Sequence, residues 1–263
     1  MTTVADILKY VETLAPTYMK MDWDNVGLLC GSRETPVTKV LMALDPFEGV
    51  CREAAEWGAE LIVTHHPIIF DPLKSVTEET TVGRSIMTLC RHGISAVNAH
   101  TNLDCAPGGV NDVLAATLGL KDVETIPPFF RDDQGRQWGL LRRGRVEEQP
   151  LSQFLEIVKS SLNAEGLRYV DGGKPVRVVA VGGGHCSDEL MSAFEAGCDT
   201  FVTADIKYNE FWDAQALGMN LIDAGHFATE NPVVAVLAEK IAAAFPEVQV
   251  KISETHRDCM KFY

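Results

Sequence analysis

The feature that most constrains the fold of this chain is an alternation of short apolar strands with helices that occurs twice. In the first half, strands are expected over residues 37–44, 60–64 and 94–98, with helices over 50–57 and 84–91. The second half repeats the order, with strands expected over residues 176–181, 199–203 and 220–223. This alternation predicts an α/β fold in which most strands pair in parallel within each half.

The two halves also resemble each other residue by residue. Residues 54–67 (AAEWGAELIVTHHP) align without a gap with residues 193–206 (AFEAGCDTFVTADI). Residues 91–104 align with residues 216–230 after one inserted residue. Matching helix ends, glycines, strands and polar residues favour a duplicated unit, although any two strand–helix–strand segments share part of this pattern. We therefore expect two similar α/β lobes related by an internal repeat.

Residues 121–150 interrupt this repeat and provide the best internal boundary. They contain Pro127-Pro128 and the polar stretch RDDQGRQ, which are typical of a connecting segment. The predicted lobes are therefore residues 1–125 and 126–263. Each is about 130 residues long, which is enough to bury a core of its own.

The composition excludes several classes of protein. The chain has 23 Lys+Arg against 37 Asp+Glu, and a net charge of −14 argues against non-specific binding of nucleic acid. No apolar run approaches the roughly 18 residues of a membrane span, and the N-terminal residues do not resemble an export signal. The seven cysteines form no C-x-x-C pair, which favours free thiols in a reducing cytoplasm. We expect a cytoplasmic protein that does not use its cysteines to bind metal.

Four of the seven histidines follow predicted strands, where open α/β sheets place their ligands. His65 and His66 come directly after the strand at 60–64 and before Pro67. Because adjacent residues in an extended chain point to opposite faces, we expect these two imidazoles to serve two neighbouring metal ions, one each. A turn with two hydrogen-bonded histidines is the alternative interpretation.

The other two histidines are each followed by a carboxylate at the i+4 position. These pairs are His100 with Asp104 and His226 with Glu230, and on a helix this spacing stacks both side chains on one face. Imidazole and carboxylate together suit Zn, Fe, Mn, Co or Ni, and a carboxylate can bridge two ions. A single pair of this kind is more typical of a solvated helix face, but two pairs at matching places of a repeat favour a metal centre.

Several other polar residues are weaker candidates. Trp23, Asp24 and Asn25 are expected to form a turn in which the Asp24 and Asn25 side chains bond to the backbone and Trp23 packs over a sheet. The alternative is that these residues contact a substrate. Asp45 follows the first strand and is expected to orient a metal-bound histidine. The glycine run at 182–184 could cradle a phosphate, but it lacks the lysine of a P-loop.

These motifs resemble a known family, the GTP cyclohydrolase 1 type 2 homologs, or Nif-three-like dinuclear metal centre proteins. The matching segments run in the family's order and cover most of the chain: WDNVGLLCG (23–31), LIVTHHPIIFDPL (61–73), AHTNLDCAPGGVND (99–112), DTFVTADIKYNE (199–210) and LIDAGHFATE (221–230). Longer family members carry an inserted domain for which residues 121–150 leave no room. The chain is therefore similar to the short form.

The resemblance implies a pair of divalent metals in the cleft between the two lobes and a toroidal homohexamer. The family's ligands correspond to His65, His66, Asp104, His226 and Glu230 of this chain. His100 is implied to be a near neighbour of the metals.

Three positions depart from the family's pattern, and none is an implied ligand. His185 ends the run GGGH (182–185) where a smaller residue is usual. Ala204 precedes Asp205 where glycine is common, and Asn209 stands where histidine often follows the Lys-Tyr pair. Asn209 therefore removes any substrate contact or proton transfer that such a histidine would make.

The residues predict a dinuclear-metal-dependent hydrolase that acts on a nucleotide or related phosphorylated compound through a metal-bridging water. The resemblance implies GTP as the nucleotide. The alternative is a non-catalytic metal-binding or assembly and regulatory protein that uses the same ligands. No base-recognition site is evident from the sequence.

Overall fold

The computed structural model describes residues 1–263 and contains thirteen strands and ten α-helices. The strands are β1 (Gly27–Cys30), β2 (Lys39–Ala43), β3 (Leu61–Thr64), β4 (Ser95–Asn98), β5 (Lys121–Thr125), β6 (Phe130–Arg131), β7 (Gln137–Trp138), β8 (Arg142–Gln149), β9 (Arg168–Val170), β10 (Val176–His185), β11 (Thr200–Ala204), β12 (Asn220–Asp223) and β13 (Gln249–Ile252). The helices are α1 (Val4–Leu14), α2 (Glu48–Trp57), α3 (Thr81–His92), α4 (Thr101–Cys105), α5 (Val110–Thr117), α6 (Leu151–Ser161), α7 (Leu190–Glu195), α8 (Tyr208–Leu217), α9 (His226–Glu230) and α10 (Pro232–Ala244). None of the helices combines the length and the apolar character needed to cross a bilayer.

The contacts divide the chain into two compact units. The first unit consists of Met1–Leu103 and Val234–Arg257, and the second consists of Asp104–Val233 and Asp258–Tyr263. This division differs from the predicted boundary at 125/126, which falls between β5 and β8, two paired strands of one sheet. It differs also because β13, near the end of the chain, pairs in parallel with β2. Whether residues 1–125 and 126–263 fold separately stays a prediction.

The sheet of the first unit has the strand order β1-β4-β3-β2-β13. Strands β13, β2, β3 and β4 are parallel, and β1 lies antiparallel on the edge next to β4. All four residues of β3, the sequence LIVT, are buried, as expected for a strand covered on both faces. One side of the sheet packs against α2 and α3 in a core that includes Leu41, Val50, Ile62 and Leu89.

The main sheet of the second unit has the strand order β5-β8-β10-β11-β12-β9. Strands β10, β11 and β12 are parallel, whereas β9, β8 and β5 pair antiparallel with their neighbours. Two cores include residues of this sheet. Val202 of β11 packs in a core with Phe154 of α6, and Phe201 of the same strand packs in a second core with Ala214 of α8.

The two sheets share one arrangement, which confirms the predicted α/β fold and its internal repeat. Each begins with an antiparallel edge strand followed by three parallel strands, β1-β4-β3-β2 in the first unit and β9-β12-β11-β10 in the second. In the sequence alignment of the two halves, β3 corresponds to β11 and β4 corresponds to β12. The carboxyl ends of these strands therefore occupy equivalent positions in the two units.

Candidate metal centre

The first unit places two histidines at the carboxyl end of β3. The His65 Nδ1 atom lies 2.9 Å from the carbonyl oxygen of Ala99, and the His66 Nδ1 atom lies 2.6 Å from Asp45 Oδ1. The two rings do not point to opposite faces as predicted, because their centroids are only 4.9 Å apart. The strand ends at Thr64, so the alternation of a pleated strand no longer applies to these residues.

The imidazole of His100 lies next to those of His65 and His66. Its ring centroid lies 5.2 Å from that of His65 and 5.4 Å from that of His66. The ligand nitrogens of the three side chains all lie within 4.8 Å of one another. We call this group the three-histidine cluster, and it could hold a metal ion using residues of the first unit alone.

Carboxylates orient two of these rings. Asp24 Oδ1 lies 2.8 Å from the Nδ1 atom of His100, and the side chain of Asp24 is completely buried. Burial alone would raise the pKa of Asp24, but hydrogen bonds from His100 and Thr101 outweigh it and lower the pKa to about 2. Asp24 is therefore an anion at neutral pH and holds a proton on His100 Nδ1. A metal would accordingly be bound through Nε2.

Asp45 performs the same task for His66, as the sequence predicts. It also accepts a hydrogen bond from His256, whose Nε2 atom lies 2.9 Å from Asp45 Oδ2. Burial would raise the pKa of Asp45, but the hydrogen bonds from His256 and His66 dominate and lower it. Sequence reasoning missed His256, because 211 positions separate it from Asp45 and no local spacing connects them.

The second unit contains a cluster of different composition. Helix α9 begins at His226 and ends at Glu230, and His226 Nε2 lies 3.0 Å from Glu230 Oε2 as the i, i+4 spacing predicts. The His226 Nδ1 atom lies 2.7 Å from Asp205 Oδ2, just beyond β11. Carboxylate oxygens of Asp104 and Glu230 lie within 4.8 Å of each other, and both side chains are buried.

This second cluster favours a positive charge at His226. Burial would lower the pKa of His226, but the hydrogen bonds and charges of Asp205 and Glu230 outweigh it and raise the pKa to about 11. A divalent cation that binds here replaces a proton, so its affinity falls as the pH falls. Cys186 lies in the same unit. Burial, followed by the charges of Asp104 and Glu230, raises the pKa of its thiol well above the usual value.

The glycine run at the end of β10 does not form the phosphate cradle suggested by its sequence. The amide of Gly183 donates to Asn111 Oδ1 at 2.7 Å, and the amide of Gly184 donates to Thr229 Oγ1 at 3.0 Å. Gly184 instead makes room for the candidate ligand. Its φ is +60°, and a Cβ atom on it would overlap the carboxylate of Glu230.

The turn before β1 is partly as predicted. Asp24 accepts a hydrogen bond from the amide of Asn25 at 2.7 Å, and the side-chain amide of Asn25 donates to the carbonyl oxygen of Ile69 at 2.7 Å. The prediction that Trp23 packs over a sheet is wrong, because its side chain is 64% exposed. Asp24 and Asn25 are occupied in holding the turn together, and Trp23 is left at the surface.

A cavity of about 330 Å³ adjoins His66 in the first unit. Phe47, Pro67, Ile68 and Val82 contribute its apolar lining, and Asp45 is part of its wall. In the second unit, Lys207 is paired with Asp188 at 3.1 Å and with Glu210 at 3.3 Å. The Lys207 side chain is 56% exposed, so Lys207 is a surface residue.

The fold and these clusters define a two-unit α/β protein with histidine and carboxylate groups that could bind metal. The chain belongs to the Duf34/NIF3 (NGG1p interacting factor 3) family, whose profile matches residues 2–259. A Clostridium perfringens relative named GTP cyclohydrolase 1 type 2 homolog is 35% identical over 262 residues, covering 98% of each chain.

Two further comparisons bear on the fold. A Halalkalibacterium halodurans relative of the same name is 45% identical over an alignment of 324 positions, which covers 84% of this chain and 87% of the relative. Because this alignment is longer than the present chain, that relative carries extra residues within the matched region. A Bacillus cereus protein related to NIF3 has a solved structure that matches with a TM-score of 0.91 at 27% identity, covering 100% of this chain and 99% of the other.

Proposed function

We propose that this chain binds two divalent metal ions through His65, His66, Asp104, His226 and Glu230 and hydrolyses a nucleotide. The observation that carries the proposal is the orientation of the histidines. Each of the three proposed imidazole ligands forms a hydrogen bond through Nδ1 with a backbone carbonyl or a carboxylate. This is the arrangement by which proteins fix the tautomer and direction of a metal-binding histidine.

The chemistry of these residues fits a first-row divalent metal. Imidazole nitrogens and carboxylate oxygens suit Zn, Fe, Mn, Co or Ni, and the buried carboxylates of Asp104 and Glu230 supply negative charge to offset that of the ions. When bound, such ions lower the pKa of water and polarise the bond that is attacked. Asp45 and Asp205 orient the imidazole rings, because these ionised carboxylates accept hydrogen bonds from His66 and His226.

The substrate class comes from the relatives. They are named GTP cyclohydrolase 1 type 2 homologs, so GTP is the first nucleotide to test, with hydrolysis of a carbon–nitrogen bond of its purine ring as the expected reaction. The proposal includes a cytoplasmic location and a homohexamer. For the 28.8 kDa chain, light scattering should then give a mass six times that of the monomer.

Metal analysis followed by a hydrolysis assay tests the proposal. The protein is stripped with a chelator, reloaded with Zn, Mn or Fe, measured for metal by elemental analysis and incubated with GTP and other nucleotides. We expect about two ions per chain and loss of intact nucleotide that stops on chelation. His92→Ala, which alters an exposed histidine at the end of α3, is the matched control and should keep both properties.

Two results would contradict this proposal in different ways. Fewer than one ion per chain with every metal would exclude the metal centre. Two ions without turnover of any nucleotide would favour the alternative of a non-catalytic metal-binding or regulatory protein.

A further inference from the structure

Two exposed aromatic rings border the three-histidine cluster of the first unit. Trp23 is 64% exposed and Phe70 is 53% exposed, and their ring centroids lie 5.8 Å apart. Each ring also contacts His100, at centroid distances of 6.2 Å for Trp23 and 6.1 Å for Phe70. Neither the core of this unit nor the proposed metal ligands account for two large aromatic side chains at this place.

The segments that carry the two rings are tied to each other and to the cluster. Asp24, which follows Trp23, is completely buried and bonds to His100 Nδ1 and to the amide of Thr101. Asn25 donates to the carbonyl oxygen of Ile69, the residue before Phe70. The rings are therefore held near His100 while remaining exposed. A site that is ordered before its ligand arrives loses less conformational entropy on binding.

The geometry of the pair suits a planar ligand. The Trp23 and Phe70 ring planes are inclined by 56°, so a third flat ring can stack on one of them while its edge meets the other. Base–aromatic stacking is strong enough that removing one aromatic side chain weakens binding by roughly 5- to 150-fold. It also tolerates any base, because every base has a π face.

We propose that Trp23 and Phe70 form a stacking subsite that holds the nucleobase of the substrate next to His100. We call it the aromatic subsite. This inference rests on the proposed function, since it assumes that the ligand of the histidine cluster is a nucleotide. It supplies a binding place for the base that the sequence did not reveal.

The cavity beside His66 is the competing place for a base. It contains one exposed aromatic residue, Phe47, whose ring meets His256 at 6.1 Å. Asp45 and His66 are both part of its wall, and they are bonded to each other through His66 Nδ1. A base held by Trp23 and Phe70 would instead lie against His100, whose Nδ1 side is covered by buried Asp24.

Binding measurements on the whole metal-loaded protein test the aromatic subsite. Calorimetry compares the affinities for GTP, guanosine and inorganic triphosphate, and tryptophan fluorescence follows the same titrations. The variants are Trp23→Ala, Phe70→Ala and the conservative Trp23→Phe. The matched controls are Phe47→Ala, which alters the cavity, and Trp212→Ala, which removes an exposed tryptophan of α8 in the second unit.

We expect Trp23→Ala to weaken binding of GTP and guanosine about tenfold or more, with triphosphate binding and metal content unchanged. Trp23→Phe should restore most of this loss, because it keeps an aromatic face. Guanosine should quench the fluorescence of the wild type and of Trp212→Ala, but not that of Trp23→Phe.

The proposal is overturned if Trp23→Ala binds GTP and guanosine as the wild type does, if GTP and triphosphate lose affinity equally, or if Phe47→Ala alone shows the loss. It is also overturned if the wild type binds no guanosine, or if Trp23→Ala changes the mass of the assembly, which would make the rings part of an interface. Guanosine binding that depends on Trp23 without nucleotide turnover would retain the subsite and refute the hydrolase. Turnover that is unchanged in Trp23→Ala would retain the hydrolase and refute the subsite.

Discussion

The two units carry the same strand framework but place different chemistry at its ends. The end of β3 carries His65 and His66, whereas the aligned end of β11 carries Ala204 and Asp205. In the first unit, His66 is oriented by Asp45, which comes from the end of a different strand. In the second unit, Asp205 itself occupies the position aligned with His66 and orients His226.

This comparison shows how a duplicated fold can diverge in function. The strands determine where a side chain is presented, and the residue type determines whether that position provides a ligand or an orienting carboxylate. The first unit consequently gathers three imidazoles, and the second gathers one imidazole and the buried carboxylates of Asp104 and Glu230. The negative charge that offsets bound cations is therefore expected from the second cluster.

The largest expected effect follows from that difference in charge. Asp104→Asn should weaken metal binding more than a hundredfold, because the amide keeps the shape of the carboxylate but supplies no charge and is a poor bridge. His100→Ala should weaken it less than tenfold, because His100 is a neighbour rather than a proposed ligand. Metal titration with elemental analysis measures both. If His100→Ala loses metal while Asp104→Asn keeps two ions, the ligand assignment is wrong.

Removal of the metal tests how much the bound ions stabilise the folded chain. A ligand that binds only the folded protein stabilises it by about 2.7 kcal/mol at a hundredfold excess over its dissociation constant. Chelation should therefore lower the melting temperature by roughly 5–10 °C without unfolding the chain. Calorimetric melting with and without chelator measures this shift.

Fragments sharpen the same test. His65, His66 and Asp104 lie within residues 1–125, and His226 and Glu230 lie within residues 126–263. Fragments expressed separately should each bind metal far more weakly than the whole chain. If the first fragment held two ions as tightly as the whole protein, His226 and Glu230 would play no part in the centre.

The orienting carboxylates give a direct comparison of the two units. Asp45→Asn and Asp205→Asn should each reduce metal affinity by about 10- to 100-fold, because the imidazole loses the partner that fixes its tautomer. Asp188→Asn, which alters an exposed carboxylate paired with His185, is the control and should bind metal normally. Equal losses of metal affinity in the first two variants would show that the orienting carboxylates of the two units are equally important. A loss in only one would locate the tightly bound ion.

The last comparison concerns the fifth strand, where the two sheets differ most. In the first unit, this position is taken by β13, and Glu53 holds the residues that follow it through Ser253, Glu254 and Thr255. Burial would raise the pKa of Glu53, but these hydrogen bonds lower it to about 2. Glu53→Gln should cost about 1.5–3 kcal/mol of unfolding free energy at pH 7.

The pH dependence follows from the sign of that shift. The folded pKa of Glu53 is below the ordinary 4.5, so its contribution is complete above about pH 4.5 and is lost as the pH falls towards 2. Urea unfolding at pH 7 and pH 3 should show the difference between wild type and Glu53→Gln shrinking at the lower pH. Glu254→Gln, which alters an exposed side chain, is the control. An undiminished difference at pH 3 would exclude ionisation of Glu53 as the cause.

Local patterns predicted the framework and the ends of its strands. Strands such as LIVT at 61–64 are recognisable because a parallel strand buried on both faces is apolar throughout. The i, i+4 spacing likewise predicted the contact of His226 with Glu230, since one helical turn brings these positions together. Strand β10 is longer than predicted because its glycine run continues it to His185.

The sequence by itself determined the α/β alternation, its duplication and the histidines and carboxylates that follow the strands, because periodicity and spacing report burial over short stretches of chain. Only the tertiary structure decided which distant residues meet. The pairings of Asp24 with His100 and of Asp45 with His256 join positions 76 and 211 apart. The exposure of Trp23 beside Phe70 was decided in the same way, because it depends on how separate loops fold together and no periodicity records such a meeting.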